Sequence, residues 1–100
     1  KHATSIVTHL KNHPALYAWD IKNEPNLDFK SRGKSLVIAW LDHMIDLVKA
    51  TDPKHPVTIG WSDVESATIL KYKQDFISFH YYEDLEDLET IYKNLRNRLQ

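Results

Sequence analysis

The chain has 100 residues, 42% of them hydrophobic, with 13 Lys and Arg against 14 Asp and Glu for a formal net charge of −1 at pH 7. That is the profile of one ordinary soluble domain, and it lacks the basic face that nucleic acid or an anionic membrane calls for. The absence of Cys excludes disulfides and leaves the redox compartment open, and no apolar run approaches the ~18 residues that span a bilayer.

Taken in chain order, Ile6, Val7 and Leu10 recur at helical spacing over Thr4 to Asn12, and Pro14 ends the pattern. Leu16 to Ile21 is short, apolar and aromatic, which predicts a buried strand, with Lys22 to Asn26 leaving it as a loop. Ser35 to Thr51 is the clearest helix. Val37, Trp40, Leu41, Met44, Ile45 and Val48 share one face, and Asp52-Pro53 closes it. Pro56 to Trp61 predicts a second strand, Val64 to Lys71 a brief helix, and Asp75 to Tyr81 a third strand. The last helix runs from Asp84 to Leu99, acidic in its first turns and basic in its last, as the helix macrodipole favours.

Strands separated by helices imply right-handed crossovers and a parallel sheet, hence an α/β fold. Strand starts lie about 40 and then about 20 residues apart, on either side of the ~30 expected per unit of a (β/α) barrel. An open doubly wound sheet gives the same alternation, so the pattern alone leaves both architectures standing.

The chemistry concentrates at Trp19-Asp20-Ile21-Lys22-Asn23-Glu24-Pro25. A carboxylic acid stands behind an amide, where an apolar run stops and a Pro forbids its continuation. This is how a barrel enzyme presents an acid at the C-terminal rim of a strand. The stretch Leu16 to Asn26 resembles the fourth-strand segment of retaining glycoside hydrolases of the barrel clan, most of all family 5, which contains many cellulases and β-mannanases. Ile77-Ser78-Phe79-His80-Tyr81-Tyr82 is similar to the sixth strand of the same family.

The resemblance implies a partial (β/α)8, or TIM, barrel. Residues 1–100 would form a single segment of about three βα units, the fourth to the sixth, preceded by a helix. It implies that Glu24 is the catalytic acid/base, that Asn23 holds the sugar 2-hydroxyl, that His80 contacts substrate or the acid/base, and that Tyr82 orients the nucleophilic carboxylate. Trp61 closes the second strand, where its ring face could stack on a pyranose or cap the core. Trp19 and Trp40 read as packing, and Asp20 as a structural hydrogen-bonder of the barrel interior. The implied partner is a β-linked polysaccharide or oligosaccharide, with no cofactor. Hydrolysis of a polymer points to a secreted, periplasmic or cell-surface parent.

Other chemistries find little support. His9 and His13 are four apart, as on a zinc-binding helix, but no Glu stands beside His9, no third ligand lies at a useful distance, and Pro14 breaks the helix. No Gly-rich phosphate loop or Ser nucleophile elbow occurs. The family's nucleophile is a Glu ending the seventh strand, and the sequence reaches Gln100 before any such strand. The expectation is therefore a hydrolase segment that supplies the acid/base, is inactive by itself, and is prone to self-association through its open sheet edges. The alternatives are a non-catalytic carbohydrate-binding relic, with Trp61 and His80 as contacts, or a small open α/β interaction domain. Convergence of Glu24, His80 and Trp61 at one end of a parallel sheet is the condition that separates the sugar readings from the last.

Overall fold

A computed structural model describes residues 2–81 and 85–99. Helix α1 (His2–Leu10) leads to strand β1 (Trp19–Asn23), a 3-10 turn (Pro25–Asp28) and a single helical turn, α2 (Phe29–Arg32). The long helix α3 (Lys34–Thr51) follows, then strand β2 (Val57–Trp61), a 3-10 turn (Ser66–Thr68), strand β3 (Ser78–Phe79) and helix α4 (Leu85–Leu99). The three strands lie in the order β1-β2-β3, and both pairings are parallel. This is an α/β unit with one open parallel sheet.

The core forms where α3 lies on β2. Val37, Leu41, Ile45 and Val48 recur at intervals of three and four on one helix face and pack with Val57, Ile59 and Trp61 from alternate positions of the strand. Leu41, Ile45, Val57 and Ile59 are completely buried, each burial contributing about 1.5–3 kcal/mol relative to exposure. Every residue of β2 is buried, as befits the centre of a parallel sheet. By the same alternation Thr58 and Gly60 face away from α3. Thr58 is satisfied there by the Phe76 carbonyl at 2.8 Å and the Ser78 hydroxyl at 3.0 Å.

Strand β1 differs from its predicted bounds at both ends. Backbone pairing begins at Trp19, whose N–H donates to the Pro56 carbonyl at 2.9 Å, and it continues through the polar Lys22 and Asn23 to the sheet's C-terminal rim. The register passes from Asp20 opposite Thr58 to Asn23 opposite Gly60, so three steps on β1 match two on β2. This bulge adds one residue just before Glu24. The residues after Glu24, predicted as loop only to Asn26, instead coil into the two short helical turns. Pro25 occupies the first 3-10 position, where its missing N–H costs nothing. Gly33, at φ 90°, lets the chain leave α2 and enter α3.

The predicted helix at Val64 to Lys71 reduces to the one 3-10 turn, and the third strand to two paired residues. Side chains of the flanking segment carry much of the remaining cohesion. Gln74 accepts from the Ile59 N–H and the Trp61 indole, both at 3.3 Å, and donates to the Ile69 carbonyl at 2.9 Å. Asp75 accepts from the Val57 N–H at 2.8 Å.

Candidate active site

The C-terminal ends of all three strands meet at one rim, where ligands bind in parallel α/β sheets. Glu24 follows β1 directly and His80 follows β3 directly. The His80 backbone N–H donates to the Trp61 carbonyl at 2.9 Å, fixing the imidazole beside the end of β2. Its Nδ1 lies 3.0 Å from Glu24 Oε2, a hydrogen bond joining residues 56 positions apart. The Glu24 side chain is 22% exposed and the imidazole 33%, so both are partly desolvated yet open to a ligand.

Glu24 adopts the left-handed conformation, φ 49° and ψ 52°, which an L-residue without a short polar side chain seldom takes. Hydrogen bonds on both sides hold it there. Its N–H donates to the Gly60 carbonyl, and its own carbonyl accepts the Leu27 N–H at 3.1 Å. Strained backbone held by its surroundings clusters at functional sites.

Gly60 makes a second link. Its N–H donates to Asp20 Oδ1 at 3.0 Å, and a Cβ added to it would come within 2.6 Å of Asp20 Oδ2. Any side chain there would force the Asp20 carboxylate to move. Desolvation among the strand ends raises the Asp20 pKa above the ordinary carboxylate value, while the Gly60 and Lys22 N–H groups and the charge of His80 act in the opposite direction.

Asn23 stands opposite Gly60 at the rim and is exposed. Trp61 departs from the stacking expectation. It ends β2 at the same rim, but its ring is 0% exposed. It lies on the α3 side of the sheet, edge-on to Phe29 with centroids 6.4 Å apart and its indole N–H on Gln74. The odd positions of β2 face the helices, so no face of this ring is free for a sugar. Its burial also removes one of the two contacts on which a non-catalytic binding relic would rely. Tyr82 lies outside the described residues.

Sequence reasoning assigned no role to Asn26. Its Oδ1 accepts the Ser62 N–H at 3.0 Å, and its Nδ2 donates to Ser62 Oγ at 2.5 Å and Asp63 Oδ2 at 3.0 Å. The turn after β1 is thereby joined to the turn after β2. The sole advance signal was a carboxamide two residues beyond Glu24, too weak to identify a clamp. Among the described residues no group of three His, Cys, Asp or Glu side chains is arranged to hold a metal ion. No helix among them is long and apolar enough to cross a membrane.

The model of the glycosyl hydrolases family 2 TIM barrel domain matches residues 1–100, the whole chain. The chain belongs to that family. Its sequence is also similar to mannan endo-1,4-beta-mannosidases. Mannan endo-1,4-beta-mannosidase 1 of Solanum lycopersicum is 30% identical over 108 aligned positions covering 91% of this chain, and a putative mannan endo-1,4-beta-mannosidase 9 of Oryza sativa is 42% identical over 50 residues, half of it. The chain spans 27% and 12% of the lengths of these two relatives. No solved structure gave a significant match. Within this glycoside hydrolase family the three parallel strands fit a portion of a TIM barrel wall. The matched model is the family 2 TIM barrel domain, whereas the sequence resemblance pointed to family 5.

Proposed function

We propose that these residues are the acid/base-bearing part of a retaining glycoside hydrolase acting on β-linked polysaccharide. We assign β1, β2 and β3 to the fourth, fifth and sixth strands of a mannanase-like barrel of the family 5 type. The observation that carries the reading is the 3.0 Å contact between Glu24 and His80, brought together from two non-adjacent strands at the C-terminal rim. The mannanase relatives favour β-1,4-mannan as the substrate.

Retention of configuration takes two carboxyl groups about 5–5.5 Å apart. Glu24 protonates the departing glycosidic oxygen while a second carboxylate attacks the anomeric carbon. Glu24, now ionised, then takes a proton from the water that releases the sugar. By the family 5 resemblance, the second carboxylate is assigned to a Glu ending the seventh strand of the barrel. His80 holds the Glu24 carboxyl at the rim by its ring N–H or accepts from it, according to tautomer. Asn23 meets the sugar 2-hydroxyl, a hydrogen bond that strengthens as the ring flattens, and Tyr82 orients the nucleophile.

The test is made on the complete gene product carrying these residues. In Glu24→Gln, turnover of β-1,4-mannan should fall by about 10²–10⁴-fold, the usual contribution of a general acid–base. Release of dinitrophenol from a dinitrophenyl β-mannobioside needs no proton, so formation of the glycosyl-enzyme should be largely spared. In Glu24→Ala, azide should restore turnover by attacking that intermediate, giving a glycosyl azide of retained configuration. An equally slowed burst of dinitrophenol, or a variant as active on mannan as the parent, would overturn the assignment.

A further inference from the structure

We infer that Asn26 is a positioning residue for Glu24, acting through a clamp between the turns that follow β1 and β2. The inference rests on the acid/base reading of Glu24 and adds the element that keeps its carboxyl in place.

The strained residue needs anchors on both sides. Upstream, the Glu24 N–H is tied to the Gly60 carbonyl at the end of β2. Downstream, Pro25 is buried and its ring fixes φ, so the next side chain able to hold the turn belongs to Asn26. Its three hydrogen bonds all reach the segment two and three residues beyond Gly60. The Glu24 backbone is thus spanned by two attachments to one short stretch of chain, residues 60–63. Asp63 is itself immobilised, its Oδ1 accepting the Ser66 N–H at 2.7 Å and leaving Oδ2 for Asn26. The carboxamide is suited to this place because it accepts from an N–H and donates to two oxygens at once. Asp would lose the donor and set two carboxylates together, and Ala would lose every bond.

Release of the downstream anchor lets residue 24, which precedes Pro25, relax toward the extended region, which swings its side chain away from His80. A misplacement of about 1 Å can cost on the order of 10²-fold in rate, and here the loss falls on proton delivery. Asn26→Ala in the complete gene product should therefore lower kcat on β-1,4-mannan about 10–100-fold. KM should change little, and the pre-steady-state burst of dinitrophenol from the dinitrophenyl β-mannobioside, which reports glycosyl-enzyme formation alone, should slow far less. A residue needed only for folding would depress both substrates together. The double variant Asn26→Asp/Asp63→Asn exchanges donor and acceptor across the clamp, and the Ser62 hydroxyl can turn to donate. It should recover most of the mannan activity lost in Asn26→Asp.

A burst slowed as much as mannan turnover, or no recovery in the exchange, would overturn the inference. If Asn26→Ala does not fold, Ser62→Ala removes a single acceptor and should give the same selectivity at smaller size, and its absence there would be equally decisive. Glu24→Gln run alongside separates the two levels. Selectivity in Glu24→Gln but not in the Asn26 variants rejects the clamp alone, whereas none in Glu24→Gln rejects the acid/base reading and the inference with it.

Discussion

The two ends of the sheet use polar residues to opposite purposes. At the N-terminal end, Asp52 is 2% exposed and fully engaged. Its Oδ2 receives the Trp19 indole N–H at 2.9 Å and lies 2.6 Å from His55 Nδ1, while Oδ1 accepts the Lys54 N–H at 3.2 Å. These bonds fasten the end of α3 to the starts of β1 and β2. At the C-terminal end, Glu24 keeps an unfavourable backbone conformation and a partly exposed carboxyl. A relaxed, closed network at one rim and a strained, open one at the other match the division of labour in barrels, where the lower face stabilises and the upper face reacts.

The largest effect on stability is expected at Asp52. Its replacement by Ala leaves the Trp19 indole and His55 ring without their acceptor in a buried place, at a cost on the order of 3 kcal/mol. Denaturant unfolding of the complete gene product would show it. The ratio of activities on mannan and the dinitrophenyl substrate should stay the same, and a change in that ratio would blur the distinction between the rims. Burial alone raises the Asp52 pKa, but the bonds from Trp19, His55 and Lys54 outweigh it and hold the carboxyl below its ordinary range. Because the folded value is the lower one, Asp52 contributes this stability fully above the unfolded carboxylate pKa of about 3.9 and loses it as pH falls through the folded value. An Asp52→Asn variant should accordingly show a shallower loss of stability below about pH 4.

Next in size is Gly60→Ala. The added carbon displaces the Asp20 carboxylate from the Gly60 N–H, costing about 1–2 kcal/mol for the hydrogen bond and the crowding. In an Asp20→Ala background the same substitution should be nearly free, and additive costs in that double-mutant cycle would show that the contact carries no energy.

The smallest effect sharpens the contrast most. Glu24→Gly removes the carboxyl we propose as the acid/base but fits φ 49° without strain, so stability should be unchanged or higher by up to about 1 kcal/mol. A clear loss of stability would mean that the Glu24–His80 contact serves the fold rather than the chemistry.

The legible part of the sequence was whatever one segment could decide alone. The amphipathic face of α3, the break at Asp52-Pro53 and the Asn-Glu-Pro exit from β1 are local signals, and they place α3, β2 and Glu24 correctly. Trp61 stood between stacking and core capping because position at a strand end does not by itself fix the face of the sheet, and the structure gives core capping. That face follows from register with Val57 and Ile59, which point to α3. The third strand predicted over Asp75 to Tyr81 is longer than β3 because Gln74 and Asp75 replace part of its ladder with side-chain bonds. The Asn26–Ser62 clamp depends on two turns 36 residues apart meeting in space, and no periodicity within either turn announces it.

The missing side chain at Gly60 has an evolutionary corollary. The same residue donates to Asp20 and accepts from Glu24, so a mutation there reaches both the start and the exit of β1 at once. A larger residue at 60 displaces the Asp20 carboxylate, and a shorter side chain at 20 relieves that cost. Among related chains these two positions should vary as a pair, and a chain with bulk at both must bend its first strand differently.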